Sequence, residues 1–162
     1  MDFTAQVSQL SHLLLKHRSM VVTAESCTGG MIAEALTSIG GSTAWFDRAY
    51  VTYSYESKQE MLGVNEQTIM HHGAVSEACV KEMVVGALQN SHANIAVACS
   101  GIAGPGGGSE DKPVGTVWIA WAAQGHEEIR AQKFLFDGDR QQVREATTIE
   151  ALKGVESLLN TP

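Results

Sequence analysis

Apolar residues recur along the chain at two spacings, and each spacing predicts a different kind of element. Over residues 2–17 they recur every three or four positions, which predicts an amphipathic opening helix. Later runs of consecutive apolar and β-branched residues are typical of buried strands. The predicted strands are residues 20–24, 48–54, 95–99, 114–122 and 129–136. The other predicted helices are residues 31–36 and 56–62, a helix capped by Ser76 and a final helix capped by Asp139, with a loop at 71–73.

The order of these elements predicts the fold class. Strands alternate with helices until the last two strands, which are separated by a turn-like segment at 124–127 and are therefore expected to form a hairpin. Helix-linked strands beside a hairpin give a mixed sheet, so we expect a three-layer α/β domain. The length of 162 residues lies within the roughly 100–200 residues of a typical domain, and residues 1–162 are expected to form a single one.

Composition and charge narrow the class of partner. Eleven Lys and Arg against 18 Asp and Glu give a net charge of −7 without any basic cluster, which argues against a nucleic-acid or anionic-membrane partner. The apolar runs are far shorter than the roughly 20 residues that cross a bilayer. The first residues lack a signal-peptide pattern, so a cytoplasmic location is expected.

Glycine is abundant, and seven of its 16 positions lie in two loops, 29–30 and 101–108.

The cysteines and histidines point to neither disulfides nor metal. Cys27, Cys79 and Cys99 are odd in number and lack CxxC spacing, which favours reduced thiols that fill the core. His71 and His72 are adjacent and belong to no metal-binding motif, so no metal site is expected.

Ser26 is the first candidate for chemistry. It lies between an apolar strand and a helix and precedes two glycines, where the free N–H groups of residues 27–30 suit a developing oxyanion. The alternative is that Ser26 caps the helix. No G-x-S-x-G motif surrounds it and no Ser/His/Asp order is recognisable, so the nucleophile needs another base.

Lys58 is the candidate base, because burial or nearby positive charge can lower a lysine pKa toward neutrality. Tyr53 is placed to hydrogen-bond the serine or the lysine and to help pass the proton. The alternatives are that Lys58 is a solvated surface charge and that Tyr53 is an ordinary strand aromatic.

Two further segments suit ligand binding. The loop 101–108 lacks the Walker and dinucleotide patterns but allows close backbone approach, with Ser100 as a nearby donor; otherwise it is merely flexible. Arg140 and Arg144 lie one helical turn apart at a helix start, where a bound anion would stabilise them. The alternative is that they pair with the nearby carboxylates of Asp137, Asp139 or Glu145.

Taken together, several blocks of sequence resemble the CinA C-terminal domain family. They occur in the family's order over nearly the whole chain, and they are residues 23–30, Tyr53-Ser54 followed by Lys58, and residues 72–76, 100–108, 112–118 and 138–140. The resemblance implies an α/β/α sandwich with a mixed, mostly parallel sheet, a tendency to form homodimers, and no metal or other cofactor. It also implies hydrolysis of the carboxamide of nicotinamide mononucleotide, a phosphorylated small-molecule substrate, to nicotinate mononucleotide and ammonia.

The resemblance also assigns roles to residues. It identifies Ser26 as nucleophile, Lys58 as base and Tyr53 as the assisting tyrosine. The remaining residues of the implied site are the oxyanion hole Cys27, Thr28, Gly29 and Gly30, the substrate loop Ser100, Gly101, Ile102, Ala103 and Gly104, and the phosphate-binding Arg140.

The chain departs from the family pattern at Tyr55, where an asparagine is usual. An aromatic ring there would fill or reshape the pocket. A second hypothesis is therefore a paralogue that binds a nucleotide or a protein without turnover, and a third is a Ser/Lys hydrolase of another amide or ester.

Overall fold

A five-stranded mixed sheet forms the centre of the structure, a computed structural model that describes residues 1–161. The sheet order is β2-β1-β3-β4-β5, and four strands share one direction while β4 runs opposite to them. The predicted mixed, mostly parallel sheet is therefore confirmed. The strands are β1 (Val21–Glu25), β2 (Phe46–Val51), β3 (Ile95–Gly101), β4 (Thr116–Ala123) and β5 (Arg130–Leu135).

Helices cover both faces of this sheet. They are α1 (Thr4–Lys16), α2 (Met31–Leu36), α3 (Tyr55–Leu62), α4 (Glu66–His72), α5 (Glu77–Gln89) and α6 (Arg140–Leu159). The first, second and last share one apolar core, which includes Leu10, Ile32 and Leu152. The other three share the second core, which includes Leu62 and Met83. The predicted α/β/α sandwich is confirmed.

The apolar runs are uninterrupted because the central strands are buried on both faces. In β3, Ile95, Val97 and Cys99 face one core while Ala96 and Ala98 face the other. All three cysteines are buried and unpaired, as expected of core thiols.

Two helix starts follow the predicted caps. Ser76 Oγ accepts a hydrogen bond from Cys79 N at 3.2 Å and begins α5. Asp139 begins α6 with a capping box, in which its carboxylate accepts from Gln142 N at 2.9 Å and Gln142 Oε1 accepts from Asp139 N at 2.8 Å.

Two predictions about local structure are wrong. Residues 71–73 were expected to be a loop, but His71 and His72 form the last turn of α4, whose only buried residue, Ile69, gives no periodic signal. The strand expected at 48–54 is β2 at 46–51. It ends early because Ser54 begins α3 through reciprocal hydrogen bonds with Ser57.

The direction of the strands brings the candidate residues to one edge of the sheet. The strands β2, β1 and β3 are adjacent and parallel, with Glu25 in register with both Val51 and Cys99. Their carboxyl ends therefore meet, and the segments that follow them lie side by side, which is the usual ligand-binding edge of open α/β sheets.

The helices α3 and α5 pack closely at Gly86, and a substitution there tests this packing. A Cβ at Gly86 would collide with the carbonyl oxygen of Leu62, the last residue of α3. We expect Gly86→Ala to lower the free energy of unfolding by about 1–3 kcal/mol, because α3 and α5 must separate. Gly40→Ala is the control, since no atom lies within 4 Å of a Cβ there. Urea denaturation measures both, and equal stability of the two variants would contradict this account of the packing.

Candidate active site

A cavity of about 270 Å³ lies at the carboxyl edge of the sheet. Its lining contains the predicted Ser26, Lys58, Tyr53, Arg140 and the loop residues 100–104. Larger clefts of about 510 and 600 Å³ occur elsewhere on the surface, but neither includes the serine or the lysine. The smaller cavity is the candidate site because the reactive groups converge there.

Ser26 and Lys58 are in direct contact inside the molecule. Lys58 Nζ donates to Ser26 Oγ at 3.0 Å and to the carbonyl oxygen of Thr52 at 2.6 Å. The lysine is only 1% exposed and the serine 8%. Lys58 is therefore not a surface charge, and the hydroxyl lies within proton-transfer distance of the amine.

Burial changes the proton affinity of this amine. Removal from water lowers the pKa of Lys58 below its usual 10.5, while nearby cysteine thiols oppose the shift more weakly. Within the described residues no carboxylate forms an ion pair with it. The amine consequently loses its proton at a lower pH than an exposed lysine does.

Cys27 lines the same cavity and is the competing nucleophile. Its hydrogen bond with Cys99 and its burial raise the pKa of the Cys27 thiol. A protonated thiol is a poor nucleophile, so this contact lowers the reactivity of the Cys27 thiol.

The turn after Ser26 is fixed by Glu25, a residue that sequence reasoning missed. Its carboxylate is fully buried and accepts five hydrogen bonds, from Thr23 Oγ1, Thr28 Oγ1 and the N–H groups of Gly30, Ile32 and Ala33, at 2.6–3.1 Å. The signal available in the sequence was a single acidic residue at the end of an otherwise apolar strand.

These bonds revise the predicted oxyanion hole. The N–H of Gly30 donates to Glu25, and the N–H of Gly29 donates to the carbonyl of Ser26 at 3.0 Å. The N–H groups of Cys27 and Thr28 have no hydrogen-bond partner among residues 1–161. Of these two residues Cys27 lines the cavity, whereas Thr28 is fully buried and does not, so one donor, the N–H of Cys27, remains instead of four. The cap of α2 is Gly30, so the alternative that Ser26 caps this helix is wrong.

The glycine loop is held in place. Ile102 N donates to the carbonyl of Thr116 at 2.9 Å, and Gly115 N donates to the carbonyl of Ile102 at 2.8 Å. A Cβ at Gly101 would lie 2.5 Å from Val117 Cγ2. The beginning of the loop is therefore fixed against β4, and position 101 needs glycine because a Cβ there would collide with Val117.

Arg140 and Tyr53 contact one another at the cavity. The Arg140 guanidinium donates to the carbonyl of Gly104 at 2.8 Å and to Tyr53 Oη at 2.9 Å. The Tyr53 hydroxyl hydrogen-bonds neither Ser26 nor Lys58, which differs from the expectation, and the tyrosine is 61% exposed. In the described part of the chain neither Arg140 nor Arg144 pairs with a carboxylate, so that alternative is wrong too.

Arg144 does not line the cavity but contacts the turn that follows Ser26. Its Nε donates to the carbonyl of Cys27 at 3.2 Å and one terminal nitrogen donates to the carbonyl of Thr28 at 3.0 Å. The helix α6 thus presents one arginine to the cavity and, one turn later, a second arginine to the backbone beside Ser26.

The cavity has further lining that the sequence reasoning did not assign. Ala74 and Val75, in the link between α4 and α5, form part of its wall. The block 72–76 carried the family resemblance, which was the available signal. Tyr55 begins α3 and borders the cavity while remaining 58% exposed, so its ring lies at the mouth.

Neither a membrane-crossing helix nor a metal-binding cluster occurs in residues 1–161. No helix there combines the length and the apolar character needed to span a bilayer. No three His, Cys, Asp or Glu side chains are grouped so that they could hold an ion.

The chain is similar to known proteins over nearly its full length. The sequence model of the CinA C-terminal domain matches residues 4–159. Nicotinamide-nucleotide amidohydrolase PncC of Escherichia coli strain K12 is 52% identical over 145 residues, 90% of this chain and 87% of that one. The PncC of Pseudomonas putida is 49% identical over 96% of each chain. A crystal structure of a CinA superfamily protein from Klebsiella pneumoniae superposes with a TM-score of 0.93 over 98% of both chains, at 38% identity.

The lowered pKa of Lys58 has a measurable effect on stability. Between that pKa and 10.5 the unfolded chain binds more protons than the folded one, so the free energy of unfolding rises with pH in this window. Lys58→Met lacks the titrating amine. We expect the stability of the wild type relative to Lys58→Met to increase as the pH is raised from about 7 toward 10.

Urea denaturation at several pH values measures this difference. Lys16→Met, which removes an exposed amine, is the control and should follow the wild type. A wild-type stability that stays constant or falls relative to Lys58→Met would show that burial does not disfavour the charged amine.

Proposed function

Since the chain belongs to the CinA C-terminal domain family, we propose that it hydrolyses the carboxamide of nicotinamide mononucleotide to nicotinate mononucleotide and ammonia. The observation that carries the proposal is the contact between the buried Lys58 amine and Ser26 Oγ. A serine paired with a lysine of lowered pKa is an activated nucleophile that needs neither histidine nor metal.

The reaction begins with attack by Ser26. Its oxygen forms a bond to the carboxamide carbon while its proton passes to the neutral Lys58 amine. The negative oxygen of the tetrahedral intermediate accepts from the N–H of Cys27, which lines the cavity and whose N–H has no partner among residues 1–161. Preorganised donors of this kind stabilise the charge at the moment it develops.

The second half returns the enzyme to its initial state. The carbon–nitrogen bond breaks, and the proton held by Lys58 goes to the nitrogen, which leaves as ammonia. A water molecule then attacks the acyl-enzyme, its proton passes to Lys58 and on to Ser26, and the carboxylic acid is released. The carbonyl of Thr52 accepts from Lys58 throughout and keeps the amine beside the reacting atoms.

The phosphoribosyl part of the substrate occupies the side of the cavity formed by Ser100, the glycine loop and Arg140. The Arg140 guanidinium suits a phosphate group and is paired with no carboxylate in residues 1–161. Because the whole chain carries a charge of −7, local donors must hold this anion. Tyr53 Oη accepts from Arg140 in the free protein, which leaves its O–H able to donate, and Tyr53 assists the proton transfer.

The homodimer that the resemblance implies belongs to the same proposal, as does the cytoplasmic location predicted from the sequence. Exposed apolar side chains beside the cavity, among them Tyr53 and Tyr55, support a surface covered by a second copy.

Tyr55 supports a second candidate function, binding of the nucleotide without turnover. Its ring lies at the mouth of the cavity at the position where the family usually has asparagine. Calorimetric binding of the mononucleotide by the wild type without ammonia release would select this function. Ammonia release from amides that lack phosphate, but not from the mononucleotide, would instead select a hydrolase of another amide.

Ammonia release tests the nucleophile. We expect the purified wild type to release ammonia from nicotinamide mononucleotide and Ser26→Ala to lose at least about 1,000-fold in kcat, because no other group can form the acyl-enzyme. Ser8→Ala, which alters an exposed serine of α1, is the control and should retain wild-type turnover. Undiminished turnover by Ser26→Ala would remove Ser26 from this role.

The pH dependence of kcat/KM tests the base. Only the neutral amine of Lys58 can accept the serine proton, so activity should rise about tenfold per pH unit until the pH reaches the lowered pKa of Lys58, below 10.5. Lys58→Arg should lose this activity, because its guanidinium remains protonated. A rate that falls as the pH rises through this range would contradict the assignment.

A further inference from the structure

The ring of Tyr55 lines the candidate cavity, and no step of the proposed reaction uses it. Tyr55 is the first residue of α3, whose start is fixed by the reciprocal hydrogen bonds between Ser54 and Ser57. Lys58 follows three positions later on the same helix. Residues three apart lie on one face of a helix, so Tyr55 and the lysine that contacts Ser26 both face the cavity.

This ring is available to a ligand. Tyr55 is 58% exposed, and its side chain has no hydrogen-bond partner within residues 1–161, whereas the hydroxyls of Tyr50 and Tyr53 contact Asn90 and Arg140. Tyr53 also lines the cavity, but its hydrogen bond places it at the Arg140 end. Tyr55 is therefore the aromatic side chain of the lining that no other side chain holds.

The charges around the cavity favour an aromatic contact for a cationic ligand. The lining contains two basic residues, Lys58 and Arg140, and no Asp or Glu. A nicotinamide ring is a positively charged pyridinium when its nitrogen carries a ribose. No carboxylate of the lining balances this charge. The faces of a tyrosine ring carry negative potential and attract a cation that lies within about 6 Å of the ring centre.

The ends of the substrate determine where its ring lies. The carboxamide is placed at Ser26, and the phosphate is placed at Arg140. The carboxamide is bonded directly to the pyridinium and the ribose to its nitrogen, so the ring occupies the space between these two ends. Tyr55 lies at the mouth of this space and presents its ring there.

We propose that Tyr55 is a specificity-determining residue, which binds the positive charge of the substrate's pyridinium ring through the face of its own ring. This role rests on the proposed hydrolysis of nicotinamide mononucleotide, and it selects a cationic ring over a neutral ring of similar size. The contact uses one face of the tyrosine ring, so the opposite face remains available to a second copy of the chain.

The kinetic effect follows from the constancy of this charge. The ring nitrogen is positive in the bound substrate and in the tetrahedral intermediate, so the contact stabilises both about equally, which lowers KM without changing kcat. Tyr55→Leu should therefore raise KM for the mononucleotide about 3- to 30-fold and change kcat less than about twofold. Tyr55→Phe keeps the ring, and its KM should lie within about twofold of the wild-type value.

Binding without turnover isolates the effect of the ring charge. Calorimetry on Ser26→Ala measures Kd for nicotinamide mononucleotide and for its reduced dihydronicotinamide form, which keeps the amide, ribose and phosphate but has a neutral ring. Adding Tyr55→Leu should lower the preference for the charged form about 3- to 30-fold, and adding Tyr55→Phe should preserve it. Tyr50→Leu is the matched control, because it removes an aromatic ring that does not line the cavity.

Fluorinated rings distinguish the electrostatic contact from a structural role. Phenylalanine bearing one, two or three ring fluorines at position 55 keeps nearly the same size, while the negative potential of its faces decreases stepwise. The Kd of the oxidised mononucleotide should rise with each fluorine, and that of the reduced form should stay constant within about twofold. A ring that only supports the fold would produce no such trend.

The outcomes separate failure of this role from failure of the proposed reaction. A wild type that releases ammonia, with the same preference for the charged ring in Tyr55→Leu, would overturn the role of Tyr55 alone. A wild type that releases no ammonia, with a preference that depends on Tyr55, would refute the hydrolysis and support the role. If Tyr55→Leu does not fold, the fluorinated series carries the comparison, and Kd values independent of fluorination would overturn the role. Absence of binding of either form by Ser26→Ala would overturn it as well.

Discussion

The arrangement of the site depends on the buried carboxylate of Glu25. Taking such a group out of water is costly unless its oxygens are fully hydrogen-bonded, and here five donors meet two oxygens. Three of these donors are N–H groups at the start of α2, so the carboxylate joins the end of β1 to the helix and determines the path of the turn between them. Ser26 is consequently free of any capping role, and the positive end of the helix is already occupied.

The buried Lys58 amine, in contrast, has only two hydrogen-bond partners, and both are neutral. Its amine has no carboxylate partner in residues 1–161, and its contacts are a carbonyl and a hydroxyl. An ion pair would stabilise the charged amine and raise its pKa, so that a smaller fraction of the amine would be neutral at a given pH. The protein instead satisfies the Glu25 carboxylate with neutral donors, and the lysine contacts neutral acceptors.

The sequence predicted the parts of the structure that depend on local pattern. Buried strands appear as apolar runs, and Ser76 and Asp139 appear as caps, because the spacing that produces them spans a few residues. The contacts that complete the site join distant residues: Lys58 to Ser26, and Arg140 to Tyr53. The resemblance assigned these residues to one site. It did not indicate that the N–H groups of Gly29 and Gly30 donate to Ser26 and Glu25, because such bonds follow from the particular conformation of the turn.

The short link from β2 to α3 has a consequence for how the family can vary in length. Only residues 52–54 separate the two elements, and they supply a carbonyl to Lys58, a hydroxyl to Arg140 and the cap of α3. Each residue inserted after the cap would rotate the lysine about 100° around the helix axis, away from Ser26. Natural insertions are therefore expected to accumulate elsewhere, as in the exposed turn between β4 and β5, whereas the distance in sequence from the strand end to Lys58 should stay constant.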